Sequence, residues 1–124
     1  MGLLKFLRGG TEKKAEVNPL RLVSEPADLF DSIGDGPVVI YKHSNRCGTC
    51  FRALREVRKF AESHPDIPVF MIDVVRDRPV SNHVSQHFSV VHQSPQALVI
   101  QDGHSVWDGS HLNVTAGGLD RAVA

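Results

Sequence analysis

Four consecutive apolar residues, Val38 to Tyr41, restrict the fold of this 124-residue chain more than any other feature of its sequence. A strand with one face in water alternates apolar and polar side chains, whereas a uniformly apolar run rich in β-branched residues is typical of a strand covered on both faces. Such strands lie inside parallel or mixed sheets. The sequence therefore predicts a sheet with helices packed on both sides.

The remaining hydropathy pattern supplies the other elements of such a sheet. Candidate strands lie at 20–23, 38–41, 68–73, 97–100 and 105–107, and candidate helices at 24–33, 47–61, 79–88 and 114–124. Residues 42–47 are predicted to form a polar turn, and Asp102-Gly103 signals a hairpin between the last two strands. Gly117 and Gly118 weaken the final helix. The predicted fold class is α/β, with a central mixed sheet of four to five strands and helices on both faces.

Charge and hydropathy limit the partners and the location. Lys and Arg together number 14, as do Asp and Glu, so no overall field attracts nucleic acid or an anionic membrane. No stretch approaches the roughly 20 apolar residues of a membrane span, and the short apolar patch in residues 1–10 does not resemble a signal peptide. We expect a flexible leader at 1–18, one domain at 19–124, and a cytoplasmic monomer.

Cys47 and Cys50 are the only cysteines, and they lie where the buried strand gives way to a long amphipathic helix. Structural disulfides are rarely maintained in cytoplasmic proteins, so this pair indicates redox catalysis or metal binding. The unpaired N–H groups and the positive dipole end of a helix start favour a thiolate. Arg46 would add positive charge, as would His43 when protonated. We predict that Cys47 is the exposed nucleophile of lower pKa.

Cys50 lies one turn further along the helix, where its sulfur can reach that of Cys47. Cys47 would attack a substrate disulfide to form a mixed disulfide, and Cys50 would then resolve it and release the reduced substrate. A second feature is Ser94-Pro95 at the entrance of a later strand. A proline at such a position usually follows a trans peptide bond and ends a strand. The presence of a redox cysteine pair in the same chain favours a cis bond here.

Several segments of the chain, between about residue 20 and residue 124, resemble one known group of proteins. They are Tyr41-Lys42-His43-Ser44 leading into Cys47, Arg78-Pro79-Val80-Ser81-Asn82, Ser94-Pro95-Gln96-Ala97-Leu98, and Val106-Trp107 followed by Ser110-His111. The chain resembles the thioredoxin superfamily in these segments, and most closely the YtxJ-like monothiol bacilliredoxins. The resemblance implies a thioredoxin-like fold and a thiol–disulfide oxidoreductase.

The resemblance also implies a substrate and its binding residues. Pro95 would be a cis-proline beside the redox site, and Ser94 would offer its backbone to an extended substrate. The substrates would be mixed disulfides between client proteins and bacillithiol, a thiol that contains glucosamine and malate. Arg46, His43 and Arg52 are candidates to meet the malate carboxylates, although Arg52 is also typical of a solvated helix face. The thiol would be a co-substrate, no cofactor would be bound, and a disulfide reductase would recycle the protein.

The sequence departs from this family at the site itself. The relatives usually have Ser where Cys50 stands, and Pro-Ile where Gly48-Thr49 stand, so a dithiol replaces a single thiol. Tyr41 occupies the place of a buried Asp that assists proton transfer in thioredoxins. A general thioredoxin-like protein disulfide reductase is therefore an alternative function.

Two other classes of function stay open. Cys47 and Cys50 with His83 and His87 are ligands of the kind that zinc prefers, although the two pairs are far apart in sequence and we expect no metal. The chain could also be a redox sensor whose disulfide changes its affinity for a partner. His104, Trp107 and His111 would then be surface contacts.

Overall fold

The structure is a computed structural model that describes residues 20–124, and it contains each strand and helix that the hydropathy pattern predicts. The strands are β1 Arg21–Leu22, β2 Val38–His43, β3 Val69–Asp73, β4 Gln96–Gln101 and β5 His104–Ser110. The helices are α1 Pro26–Phe30, α2 Gly48–Ser63, α3 Arg78–Phe88 and α4 Ala116–Val123, and a 3-10 turn spans His111–Asn113. No helix among residues 20–124 has the length and apolar character that a membrane span requires. The predicted leader at 1–18 lies outside the described residues.

The five strands form one mixed sheet in the order β1-β3-β2-β4-β5. β2 is the central strand, parallel to β3 on one side and antiparallel to β4 on the other, and β5 is antiparallel to β4. One edge of the sheet therefore collects the ends of β2, β3 and β5 and the beginning of β4. We call this edge, with its segments 44–47, 74–77, 91–95 and 111–113, the thiol edge. The predicted α/β fold class is confirmed.

The period of two along β2 divides the core into two layers. Val39 and Tyr41 face the cluster that includes side chains of α2 and α4. Val38 and Ile40 face the opposite cluster, which includes side chains of α1 and α3. Each fully buried apolar side chain of this size contributes about 1.5–3 kcal/mol. Coverage on both faces explains why the run is apolar throughout.

The predicted polar turn at 42–47 begins too early. β2 continues through Lys42 and His43, and both side chains are buried. The sequence pattern assigns such residues to a turn because their polar atoms need partners, and only the folded structure shows that both side chains find partners within the protein. Lys42 is bonded to residues of α3 and the segment after it, while His43 is bonded to Tyr41 and Asn45.

The final helix, α4, runs through both glycines that were expected to weaken it. Thr115 caps the helix, because its hydroxyl oxygen accepts a hydrogen bond from the N–H of Gly118 at 3.0 Å. Gly118 also lies under the ring of Trp107, where an added Cβ would be 3.2 Å from ring carbon Cζ2. The glycine therefore permits the close contact between α4 and β5.

Replacement of Gly109 by alanine is expected to destabilise the protein. The new Cβ would lie 2.6 Å from Cη2 of Trp107 and 3.1 Å from the carbonyl oxygen of Asn113, so the ring or the backbone must move. We expect the free energy of unfolding to fall by about 1–3 kcal/mol in denaturant titrations. Gly117→Ala is the control, because it meets only the guanidinium of Arg121 at 3.5 Å and should stabilise α4 by about 1 kcal/mol. Similar effects of the two substitutions would contradict this account of the Trp107 contact.

Candidate active site

Cys47 lies at the junction between the segment that follows β2 and the first turn of α2. It is the N-cap residue, with φ −132° and ψ 127°, and the helix begins at Gly48. Its side chain is partly exposed, whereas that of Cys50 is fully buried. Both residues are free thiols. The junction thus places two chemically equal groups in very different surroundings.

The pKa of the Cys47 thiol is held below its usual value. The backbone N–H of Cys50, which donates to the carbonyl oxygen of Cys47 at 3.1 Å, also stabilises the thiolate and is the main cause, while desolvation opposes the shift. The thiol of Cys50 and both the hydroxyl and the N–H of Thr49 lower the pKa further. The helix start stabilises the thiolate as predicted, but neither Arg46 nor His43 is among the main causes.

The pKa of the Cys50 thiol is raised, mainly because burial disfavours the thiolate. Hydrogen bonds to the sulfur from the backbone N–H of Ser44 and from Ser94 oppose this shift, and Cys47 adds to it. The Ser94 hydroxyl oxygen lies 3.8 Å from the Cys50 sulfur. Cys50 is therefore protonated under conditions in which Cys47 is already ionised.

A buried hydrogen-bonded chain fixes the main chain at Cys50. The Tyr41 hydroxyl donates to the carbonyl oxygen of Cys50 at 2.9 Å. The same hydroxyl lies 2.8 Å from Nδ1 of His43. Burial raises the pKa of Tyr41, with the charges of Cys50 and Cys47 adding to the effect, so this hydroxyl stays protonated. Tyr41 therefore anchors the helix start and does not replace a carboxylate as a base.

His43 is not placed to bind a substrate carboxylate. Its side chain is only 5% exposed, and Nδ1 is bonded to Tyr41 while Nε2 lies 2.9 Å from the side-chain amide of Asn45. Both ring nitrogens are thus occupied within the protein. The geometry does not support the predicted role of His43 in substrate binding and gives it a role in anchoring Tyr41.

The predicted Ser94–Pro95 element lies directly beside the thiols. The peptide bond between the two residues is cis, as the resemblance implies, and Pro95 is buried. The carbonyl oxygen of Pro95 accepts from the N–H of His111 at 2.9 Å. On the other side, the side-chain amide of Gln96 donates to the carbonyl oxygen of Val91 at 2.9 Å. Ser94 is thereby presented to Cys50 by a segment bonded on both sides.

The two arginine candidates differ in their surroundings. Arg46 is exposed at the thiol edge, one residue before Cys47. Arg52 is half-buried, and its Nη1 is a buried donor that finds no acceptor among residues 20–124. Glu56 lies one turn later, and its Oε1 accepts a hydrogen bond from the N–H of Ala116 at 2.8 Å. Arg52 is therefore not simply a solvated helix residue, because one of its donors is both buried and unused.

The structure does not bring the four proposed zinc ligands together. His83 and His87 lie against Phe30 of α1, each with a ring-centroid distance of 4.8 Å. Within the part of the chain that the structure describes, no three His, Cys, Asp or Glu side chains come together as metal ligands. The four predicted ligands are thus not gathered at one place. For the sensor hypothesis, His104 and His111 are exposed while Trp107 packs against the core.

Three residues with a part in the site were not assigned from the sequence. Ser44 and Thr49 contact the two sulfurs, and Lys42 is bonded to the segment that carries Ser94. The hydroxyl of Thr49, between the two cysteines, was an available signal, whereas Ser44 contacts Cys50 through its backbone N–H, which its residue type does not indicate. Nothing near Lys42 in the sequence indicates its partners, because they lie 39 to 50 positions away.

Selective alkylation tests the assigned environments. Because the pKa of Cys47 is lowered and that of Cys50 is raised, iodoacetamide should modify Cys47 first. As the pH is increased, the alkylation rate of Cys47 should begin to rise at a lower pH than the alkylation rate of Cys50. Thr49→Ala should raise the pKa of Cys47, whereas Thr49→Ser, which keeps the hydroxyl, should leave it low. Mass spectrometry of digests taken across a pH series measures both rates. Equal labelling of the two thiols would contradict the assignment.

Comparison with known proteins agrees with the fold and with thiol–disulfide chemistry. The model of the family described as monothiol bacilliredoxin BrxC matches residues 18–119. A solved structure of a candidate oxidoreductase with a thioredoxin fold is 25% identical, with a TM-score of 0.78 over 90% of this chain and 97% of that chain.

Thioredoxins of distant organisms share the same architecture. That of Fasciola hepatica is 21% identical, with a TM-score of 0.67 over 84% of this chain and 96% of that chain. Thioredoxin F from spinach chloroplast, in its long form, is 18% identical, with a TM-score of 0.69 over 89% and 88%. These two show the fold alone. With the family match over most of its length, the chain belongs to the monothiol bacilliredoxin family and is a thiol–disulfide oxidoreductase of thioredoxin fold.

Proposed function

We propose that the protein removes bacillithiol from protein mixed disulfides in the cytoplasm, with Cys47 as the attacking thiolate and Cys50 as the resolving thiol. The observation that carries this proposal is the contrast between the two sulfurs. Cys47 is partly exposed and has a lowered pKa, whereas Cys50 lies buried beside it with a raised pKa. Attack on a disulfide requires an accessible thiolate, and resolution requires a second thiol that acts only afterwards.

The reaction proceeds through two exchanges. The Cys47 thiolate attacks the bacillithiol sulfur of the mixed disulfide, the bond to the client breaks, and the client leaves as a thiolate. Cys50 then loses its proton and attacks the Cys47 sulfur, and bacillithiol leaves as a thiolate that takes up a proton. The client disulfide has been reduced, and Cys47 and Cys50 have been oxidised to a disulfide. A disulfide reductase or a further thiol returns the pair to the dithiol.

Exposed apolar side chains at the thiol edge support protein clients. Six large apolar side chains are exposed within residues 20–124, and four of them belong to this edge or to the first turn of α2: Phe51, Val75, Val91 and Leu112. Val91, at 80% exposure, precedes the Ser94–Pro95 element. Exposed apolar groups gathered around a reactive sulfur offer a contact surface for another protein.

The arginines near the site support an anionic thiol. Arg46 is exposed at the thiol edge, and Arg52, on the helix that begins beside Cys47, has a buried donor without an acceptor among residues 20–124. A guanidinium binds carboxylates with two parallel N–H bonds, and bacillithiol contains the two carboxylates of malate. Glutathione and coenzyme A are also anionic, so the thiol itself must be identified by experiment.

A general protein disulfide reductase is the second candidate function. The presence of two thiols favours it, because a dithiol can reduce a client disulfide without a small thiol. The protonated Tyr41 hydroxyl disfavours it, since no carboxylate stands at this position to assist the proton transfer of Cys50. Comparing turnover of a bacillithiol mixed disulfide with that of an intramolecular protein disulfide separates the two functions.

Trapping of the intermediate identifies the thiol. Cys50→Ser should stop the reaction after the first exchange, so the small thiol should stay attached to Cys47 in extracts of the native cell. Intact-mass spectrometry reads the identity of the thiol from the added mass, and Cys47→Ser is the control that should carry no adduct. An adduct of glutathione or coenzyme A would refute the assignment of bacillithiol.

Substitution of Arg52 tests the carboxylate contact. Arg52→Met should raise KM for a bacillithiol mixed disulfide about tenfold, which is the loss expected for one charged hydrogen bond, and should leave kcat unchanged. A cysteamine mixed disulfide has no carboxylate and should be unaffected. Arg58→Met, on the exposed face of the same helix, is the matched control. An equal effect on both substrates would exclude this contact.

A further inference from the structure

Lys42 is a fully buried lysine next to the active site. It lies in β2 between Tyr41 and His43, but the alternation of the strand directs its side chain to the opposite face of the sheet, towards α3. It takes part in none of the ion pairs found among residues 20–124. Buried lysines are normally paired, so an ammonium without a carboxylate requires an explanation.

Three hydrogen bonds account for every proton of the ammonium. Nζ donates to the carbonyl oxygen of Ser81 at 3.1 Å, to the hydroxyl of Ser85 at 2.7 Å and to Nδ1 of His92 at 3.1 Å. An ammonium has three N–H donors, whereas a neutral amine has two. Only the charged form of Lys42 can donate to all three partners at once.

The pKa shifts of Lys42 and His92 agree with an ammonium that donates three hydrogen bonds. Burial, with a smaller effect of Arg78 on α3, lowers the pKa of Lys42 to about 8, so the ammonium persists at neutral pH. Burial, with Lys42 and Arg78, also lowers the pKa of His92, so its ring is neutral and accepts at Nδ1. The residues paired with Lys42 on β3 and β4 are Ile72 and Gln96, which carry no charge.

The cluster connects α3 to the segment that carries Ser94. Ser81 and Ser85 belong to α3, while His92, whose Nδ1 also lies 3.1 Å from the Ser81 hydroxyl, lies two residues before Ser94. Ser94 is the residue whose hydroxyl lies 3.8 Å from the Cys50 sulfur. Gln96 and His111 bond the same segment from the sides of β4 and β5, and Lys42 bonds it from the side of α3.

We propose that Lys42 is a positioning residue that ties the 89–95 segment to α3 and thereby holds the Ser94 hydroxyl against Cys50 during resolution. When Cys50 loses its proton and attacks Cys47, Ser94 and the N–H of Ser44 donate hydrogen bonds to the forming thiolate. The proton passes to the departing thiolate. This proposal rests on the proposed dithiol reaction but not on the identity of the small thiol.

The two steps can be followed separately with 5,5′-dithiobis(2-nitrobenzoate). Attack by Cys47 releases one thionitrobenzoate, and resolution by Cys50 releases the second, so a stopped-flow trace gives both rates. Lys42→Met should slow the second release about tenfold and leave the first within about twofold. Lys59→Met is the matched control, because Lys59 lies exposed on α2, and it should alter neither rate.

A double variant distinguishes positioning from a general structural role. Ser94→Ala should slow the second release by itself, and adding Lys42→Met to it should produce less than about twofold further loss, because Lys42 acts through Ser94. If Lys42→Met slows both releases equally, or retains its full effect in the Ser94→Ala background, the proposal is overturned.

Two controls keep the result interpretable. If Lys42→Met does not fold, as judged by thermal unfolding, His92→Ala removes one of the three acceptors and should slow only the second release. An unchanged second release in that variant would also overturn the proposal. Failure of the wild-type protein to act on bacillithiol mixed disulfides would refute the assignment of the thiol, whereas the two releases from this generic disulfide would still test Lys42.

Discussion

The start of α2 beside the sulfur of Cys47 is the feature on which the chemistry of this protein depends. The helix begins at Gly48, and in its first turn the backbone N–H of Cys50 donates to the carbonyl oxygen of Cys47 at 3.1 Å and also lowers the pKa of the Cys47 thiol. The helix can begin there because β2 ends nearby, in the centre of a sheet that is covered on both faces. The main contribution of the fold to the chemistry is therefore to place the start of α2 at the thiol edge of the sheet.

The two sulfurs obtain different properties from one motif because their surroundings differ. Cys47 caps the helix and is partly exposed, whereas Cys50 lies under it and meets Ser44 and Ser94. In the proposed reaction, burial of the second thiol would keep it protonated until the first exchange has occurred and would give the reaction its order. No cationic side chain is among the main causes of the lowered pKa of Cys47, so the exposed Arg46 would be available to a substrate.

The fold and the cysteine pair could be predicted because their signals are local. The apolar run of β2, the helical period after Cys47 and the hairpin turn each depend on neighbouring residues. The role of His43 and the burial of Lys42 could not be predicted, since both residues are polar and belong to a segment that looks like a turn. The partners of Lys42, such as Ser85 and His92, come from segments distant in sequence. Similarly, Gly118 of α4 is explained only by the ring of Trp107 packed against it.

The hydrogen bond from Tyr41 to the main chain of Cys50 has a mechanical consequence. Cys50 is clamped through its carbonyl oxygen, and its sulfur is held by Ser44 and Ser94, whereas Cys47 sits at the free tip of the helix. If the two sulfurs join and separate as proposed, we expect the displacement to fall on Cys47 and its neighbours while the interior keeps one shape. A partner protein would then distinguish the oxidised form from the reduced form by a few surface atoms at that tip.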